Sequence, residues 1–411
     1  MLVLAPGSWS TKVTFGLSES LLPPSHTIPT RVFYAGGRYM LQANEGATNE
    51  EIWPVEGGRI RRMTPFLAFL QLVIRKSTKI PMTPLALVVD AEWSTREREM
   101  VAKMLFERCQ VEGLTMLDDA LCGLLAHGKT EGVVVNVGHD KTEIATYSDS
   151  LLQSRILLPL GSTTISRHLH ALLPHLSREQ IEALKESPIA EIPIASRTGD
   201  TEELDMAKIL ARGKQKEVVD GASGKVQPNV LLEQNTFSYA GESITVGRER
   251  LHAGEVLLHD IATAYGLAVS KIDVDRREYV RENLVVIGGG AKIRGWREAL
   301  LSTLLATFAS ANGPSHAPSS TMPSRFPTPS ATGTSTPVPL PQPSYSVGSG
   351  IRLLKLPDYF VEWKDAPPED AAFLGAQICA RVVFVTDAGS RGYLAREEYS
   401  DRGPRAISTV S

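Results

Sequence analysis

The chain has 411 residues, of which 42% are hydrophobic and 22% charged, with a net charge of −3; this is the balance of a soluble globular protein long enough for two domains or one lobed α/β unit. That charge argues against broad binding to nucleic acid or to an anionic membrane surface. Cys109, Cys122 and Cys379 are scattered without metal-ligand spacing and read as reduced intracellular thiols, the N-terminal apolar run is too short for a signal peptide, and no stretch approaches the ~20 apolar residues of a membrane span.

In chain order, LVLA pairs with TKVTFGL across the turn Pro6-Gly7-Ser8, as two strands of a hairpin. Residues 29–52 are polar and Gly-bearing and read as a loop or small flexible lobe. TPFLAFLQLVIRK follows as a helix, then LALVVD (85–90) as a strand. In STREREMVAKMLFERC, Ser94 and Glu97 have capping-box spacing and Met100, Val101, Met104 and Leu105 fall on one helical face. A strand LTML leads to a helix DALCGLLAHG that Gly128 closes.

Next comes VVVNVGHDKTE (133–143), an apolar strand, a Gly turn and a polar strand. LLQSRILLPLGSTTISRHLHALL reads as strand into helix, and Ser177 with Gln180 caps the helix REQIEALKE. Residues 187–235 are polar and carry no clear period. ITVGRERLHAGEVLL (244–258) reads as strand, turn and helix start; NLVVIGGGAKIRGWREALLSTLLATF (283–308) as strand, Gly-rich turn and helix. AAFLGAQICARVVFV is a closing helix expected to pack on the first lobe. Between the last two, residues 313–344 carry nine prolines and almost no aliphatic residues. Such a stretch buries too little apolar surface to offset its ordering entropy and is expected as a disordered surface insertion.

LVLAPGSWSTKVTFG and VVVNVGHDKTEIATY form an internal repeat, with Gly7 over Gly138 and Ala5 over Asn136. Two such hairpins facing each other can grip phosphates through backbone N–H groups. Gly288, Gly289 and Gly290, between a buried strand and a helix, would let an adenine or ribose approach the backbone.

These residues identify a resemblance: the chain resembles actin and the actin-related proteins. The match is nearly ungapped from LALVVD (85) to about HALL (173) and resumes in FSYAGESITVGRERLHAGEVLL, in KIDVDRREYVRENLVVIGGG and in the C-terminal AAFLGAQI…YLAREEYSDRGP. The resemblance implies two RNase H-like α/β domains around a central nucleotide cleft. Their expected bounds are 1–135, with a small lobe at 29–60, then 136–350 with the insertion, and a segment 351–411 returning to the first domain.

Carried over residue by residue, the cation-organising carboxylate positions of the family fall on Ala5, Asn136 and His139, and the water-orienting glutamine position falls on Asp119. Ala5 offers nothing to a hard cation, Asn136 offers no charge, and His139 prefers softer metals. The resemblance therefore implies no catalytic residue, no metal site and no efficient ATP hydrolysis. Gly7, Ser8, Lys12, Asn136, Gly138 and Gly288–Gly290 keep the cradle, compatible with an ATP or ADP that is bound but not turned over. The plainer alternative is a cleft filled by Lys292 and His139, with Lys12 a strand-end lysine and Asp140 and Lys141 simple turn residues.

Within the superfamily the run ENLVVIGG, the actin-like but substituted cleft and the compact N-terminal lobe make the chain most similar to the divergent actin-related protein at the pointed end of dynactin. The shortened stretch from Arg31 to Trp53 and the actin-like sequence through Arg391–Pro404 imply a filament cap of that complex. Its barbed-end face would sit on an actin-like subunit beside other pointed-end subunits, in the cytoplasm and cytoskeleton, in support of dynein transport. The alternative is a nuclear scaffold subunit of a chromatin-remodelling complex; a slow ATPase or filament former is a third reading.

Overall fold

The computed structural model describes residues 1–16, 21–46, 48–78, 82–193, 228–311, 350–386 and 392–409. The proline-rich stretch 313–344 lies outside them, as does 194–227 of the unassigned segment. Strands β1 (Leu2–Pro6) and β2 (Ser10–Phe15) form the first hairpin, with β3 (His26–Pro29) beside β2. The stretch expected as a loop instead forms a small antiparallel sheet of β4 (Val32–Ala35), β5 (Arg38–Met40) and β6 (Glu50–Ile52), followed by a hairpin of β7 (Val55–Glu56) and β8 (Arg59–Ile60). Its strands, three or four residues each, are too short for a periodic signal, yet Val32 and Ile52 are buried and tie it to the core.

Strands β9 (Leu85–Val89) and β10 (Gly113–Asp118) run parallel to β1 and complete the first large sheet, whose edge is closed by β18 (Leu394–Ala395), in the order β18-β10-β9-β1-β2-β3. The second half repeats the plan. Strands β11 (Gly132–Val137), β12 (Thr142–Ser148) and β13 (Leu151–Leu158) form an antiparallel meander. A separate hairpin, β14 (Asn235–Tyr239) with β15 (Glu242–Val246), stands apart, and β16 (Asn283–Ile287) and β17 (Arg352–Leu353) add in parallel to give β13-β12-β11-β16-β17. Every residue of LALVV in β9 is buried, as a parallel strand covered on both faces requires.

Side-chain alternation sorts the core into three layers. Leu2 and Leu4 face outward onto Phe66 and Phe69 of the Met63–Ser77 helix and Phe106 of the Thr95–Arg108 helix. Val133, Val135 and Val137 face outward onto Tyr265 of the Leu258–Ser270 helix and Trp296 and Leu300 of the Trp296–Ala311 helix. Between the sheets lie Val3, Ala86, Val134 and Val285, packed on the helices Asp119–Ala126 and Ala371–Arg381 through Leu124, Phe373 and Leu374. Each large side chain buried here contributes about 1.5–3 kcal/mol. The two helices cross so closely that a Cβ at Gly375 would clash with the carbonyl oxygen of Cys122. This is the α/β architecture expected, with two related sheets.

Local signals read from the sequence hold at several points. Ser94 with Glu97 and Ser177 with Gln180 both form complete capping boxes, and Gly128 takes φ +66° just past the Asp119–Ala126 helix. Met100 is the exception on its helix: Val101, Met104 and Leu105 are buried, but Met100 is exposed, one position off the core-facing stripe.

Candidate functional site

The two repeated hairpins face each other across a cavity of about 980 Å³ whose wall includes Gly7, Ser8, Lys12, Asn136, Gly138 and Gly288–Gly290. Every residue singled out from the sequence for this cleft therefore converges on it. The two turns are built alike: Gly7 N–H donates to the Ser10 carbonyl at 3.0 Å, and Gly138 N–H donates to the Lys141 carbonyl at 2.8 Å. Ala5 pairs with Lys12 across the first hairpin and Asn136 with Glu143 across the second, which makes the internal repeat a structural one.

The groups assigned to phosphate are engaged elsewhere. Both glycine amides close their own turns. The Ser8 hydroxyl accepts from Gly58 N–H at 3.0 Å. Lys12 Nζ lies 2.7 Å from Asp370 Oδ1, and Lys292 Nζ lies 3.1 Å from Asp370 Oδ2. Burial opposes the charge on Asp370, but the ammonium groups of Lys12 and then Lys292 outweigh it and hold the carboxyl below its usual range. In the glycine turn, Gly288 has φ +94°, and a Cβ on Gly290 would sit 2.6 Å from Val137 Cγ1. Their missing side chains thus make room for β11, whereas Gly289 alone faces open space.

Asn136 and Asp119, the pair at the former carboxylate and glutamine positions, bond to each other, Asn136 Nδ2 donating to Asp119 Oδ2 at 2.6 Å. Burial, and then the charges of Glu143, Asp90 and Asp118, push Asp119 well above the ordinary carboxylate range. A carboxyl whose charged form is opposed by burial and by neighbouring anions is a poor ligand for a hard cation. Behind it, Glu143 is buried and pushed up to about 7, burial outweighing Arg155, whose Nε lies 2.7 Å from Oε1 without hydrogen-bond alignment. Ala5 supplies no ligand at all, so these residues do not fit a metal-bound triphosphate.

Asp140 and Lys141 are more than turn residues. Lys141 Nζ reaches Asp90 Oδ1 at 2.6 Å, and Asp140 Oδ2 accepts from Gly57 N–H at 3.2 Å, so the second hairpin is fastened to the first half. His139 stacks on Trp9 with ring centroids 4.6 Å apart, and Trp9 stacks on Trp53 at 4.7 Å. Burial lowers the pKa of His139, which favours the neutral ring at this contact. These fastenings join residues far apart in sequence and carry no local pattern; the clue available was only that aromatic residues occupy both turns.

A model of the actin family matches residues 1–326. The chain is 28% identical to the SWI/SNF and RSC complexes subunit arp9 of Schizosaccharomyces pombe, over all of this chain and 98% of that protein. It is 26% identical to actin-related protein 7 of Arabidopsis thaliana over 48% of the chain and 52% of that protein. Centractin of Saccharomyces cerevisiae is 24% identical over 54% of the chain and 55% of that protein. The full-length similarity to a SWI/SNF and RSC subunit overturns the dynactin assignment. With it go the pointed-end cap, the dynactin and actin-like filament partners, the link to dynein, and the cytoplasmic, cytoskeletal location. The features behind that assignment, a shortened lobe loop and a substituted cleft, do not distinguish one divergent actin-related protein from another. No described helix is long and apolar enough to cross a membrane.

Proposed function

The chain belongs to the actin family, and from that premise we propose that it is a non-catalytic, nuclear scaffold subunit of a chromatin-remodelling complex of the SWI/SNF or RSC kind. The observation that carries this reading is similarity along the whole chain, not the nucleotide core alone, to a subunit of those complexes. Surfaces that meet partners lie outside the cleft, and only a match running through them bears on assembly.

The cleft supports the non-catalytic part. Ala5 and Asn136 stand at the family's carboxylate positions, burial opposes the charged form of Asp119, and Lys12 is paired with Asp370. Hydrolysis of a nucleoside triphosphate requires a positioned cation and a positioned water, and none of these groups holds either. In this role the two halves act as one rigid body presented to partners. A fluorescent fusion expressed from the native locus tests the reading: it should concentrate in the nucleus and sediment with a remodelling ATPase. A fusion that decorates microtubules and sediments away from that ATPase would overturn it.

A further inference from the structure

The cavity wall carries four lysines, Lys12, Lys141, Lys185 and Lys292, and each is matched to a carboxylate of the chain itself. Lys141 pairs with Asp90 at 2.6 Å, Lys185 with Glu182 at 2.7 Å, and Lys12 and Lys292 share Asp370. Asp370 stands out because its two partners come from opposite sides of the cleft. Lys12 belongs to β2 of the first half, while Lys292 ends the glycine turn of the second. The Asp370 side chain is 9% exposed, against 20% for Lys12 and 41% for Lys292. The carboxylate therefore lies behind the wall and draws both ammonium groups onto itself.

We infer that Asp370 is a specificity-determining residue of the cleft, an internal anion that neutralises Lys12 and Lys292 and so excludes phosphate-bearing ligands. A phosphate recruited to two converging ammonium groups gains charge-assisted hydrogen bonds that substitute for lost hydration. Here Lys292 already makes such a bond and Lys12 an ion pair at 2.7 Å to the same carboxylate, and a second anion would have to share them with a buried group of the same sign. The fixed carboxylate thus replaces an exchangeable ligand and bridges the halves without one. This deepens the non-catalytic part of the proposed function. A nucleotide found bound but unhydrolysed would overturn the inference and leave that reading standing.

The test is binding of ATP and of inorganic tripolyphosphate, measured by isothermal titration calorimetry at low ionic strength, to the wild-type chain and to D370N and D370E. D370N keeps the shape and removes the charge, so it should bind both ligands at least about tenfold more tightly than wild type. D370E keeps the charge and should bind no better than wild type. Equal binding by wild type and a folded D370N, or gain in D370E equal to that in D370N, would overturn the inference. A readout that needs no variant covers the case in which D370N does not fold. Acid-denatured wild-type protein should release no stoichiometric ATP or ADP, and release of one equivalent would refute the exclusion.

Discussion

Replacing Lys141 by Met removes the ammonium group that fastens the second hairpin to Asp90 while keeping the apolar stem. The pair is 2.6 Å long, and its side chains are only 13% and 14% exposed. Removing one partner of a fully buried pair costs about 3–5 kcal/mol, because the other charge is left uncompensated. Asp90 retains the Glu92 N–H at 2.8 Å and some access to water, which lowers the expected loss to about 2–3 kcal/mol. At about 1.2 °C per kcal/mol for a chain of 411 residues, K141M should melt roughly 2.5–3.5 °C below wild type. D90N should lose a similar amount. The double variant should lose little more than either alone, a coupling of about 1–3 kcal/mol in a double-mutant cycle. Thermal melts followed by circular dichroism give all four numbers, and solution scattering shows whether the halves separate. A K141M melt within about 1 °C of wild type, or additive losses in the double variant, would refute the idea that this contact locks the cleft.

Three further outcomes follow from the same geometry. Trp9→Ala breaks both stacking contacts of the His139–Trp9–Trp53 column and should cost about 1–3 kcal/mol, read in thermal melts together with loss of near-ultraviolet circular dichroism. Glu143, pushed by burial up to about 7, binds its proton more tightly in the folded chain than in the unfolded one, where a glutamate titrates at about 4.3, so its contribution to stability falls as pH rises from there through 7. E143Q should therefore be more stable than wild type at pH 8 and show a flatter dependence of Tm on pH across that window; an unchanged slope would count against the assignment. Gly375→Val forces apart the helices that join the two sheets, since even a Cβ clashes with the Cys122 carbonyl; overpacking of this kind costs about 1–3 kcal/mol or more, seen as a lowered urea midpoint.

Much of this molecule can be read from short-range patterns. The buried runs LALVV and VVV, the capping boxes at Ser94 and Ser177 and the cap glycine Gly128 each state their structure within a few residues. The paired hairpins were legible because the chain repeats them. The sheet of β4–β6 was not, because three- and four-residue strands carry too little alternation to rise above a polar background. Within the cleft, the residues that line it were found, but their occupations were not. Lys12 and Asp370 sit at opposite ends of the chain, and only folding brings that carboxylate beside that ammonium group. Trp9, Trp53 and His139 likewise meet only in three dimensions. The dynactin assignment failed for a related reason: substitutions in the cleft report what chemistry has been lost, while membership in a complex is written on outer surfaces spread along the chain.

The account rests most heavily on assembly, and affinity purification of the chain from the cells that make it, under its native promoter, tests this directly. Quantitative mass spectrometry of the purified material should find a remodelling ATPase and its companion subunits in roughly equal molar amount to the tagged chain. Recovery of dynactin subunits at that stoichiometry, with no remodelling ATPase, would contradict it.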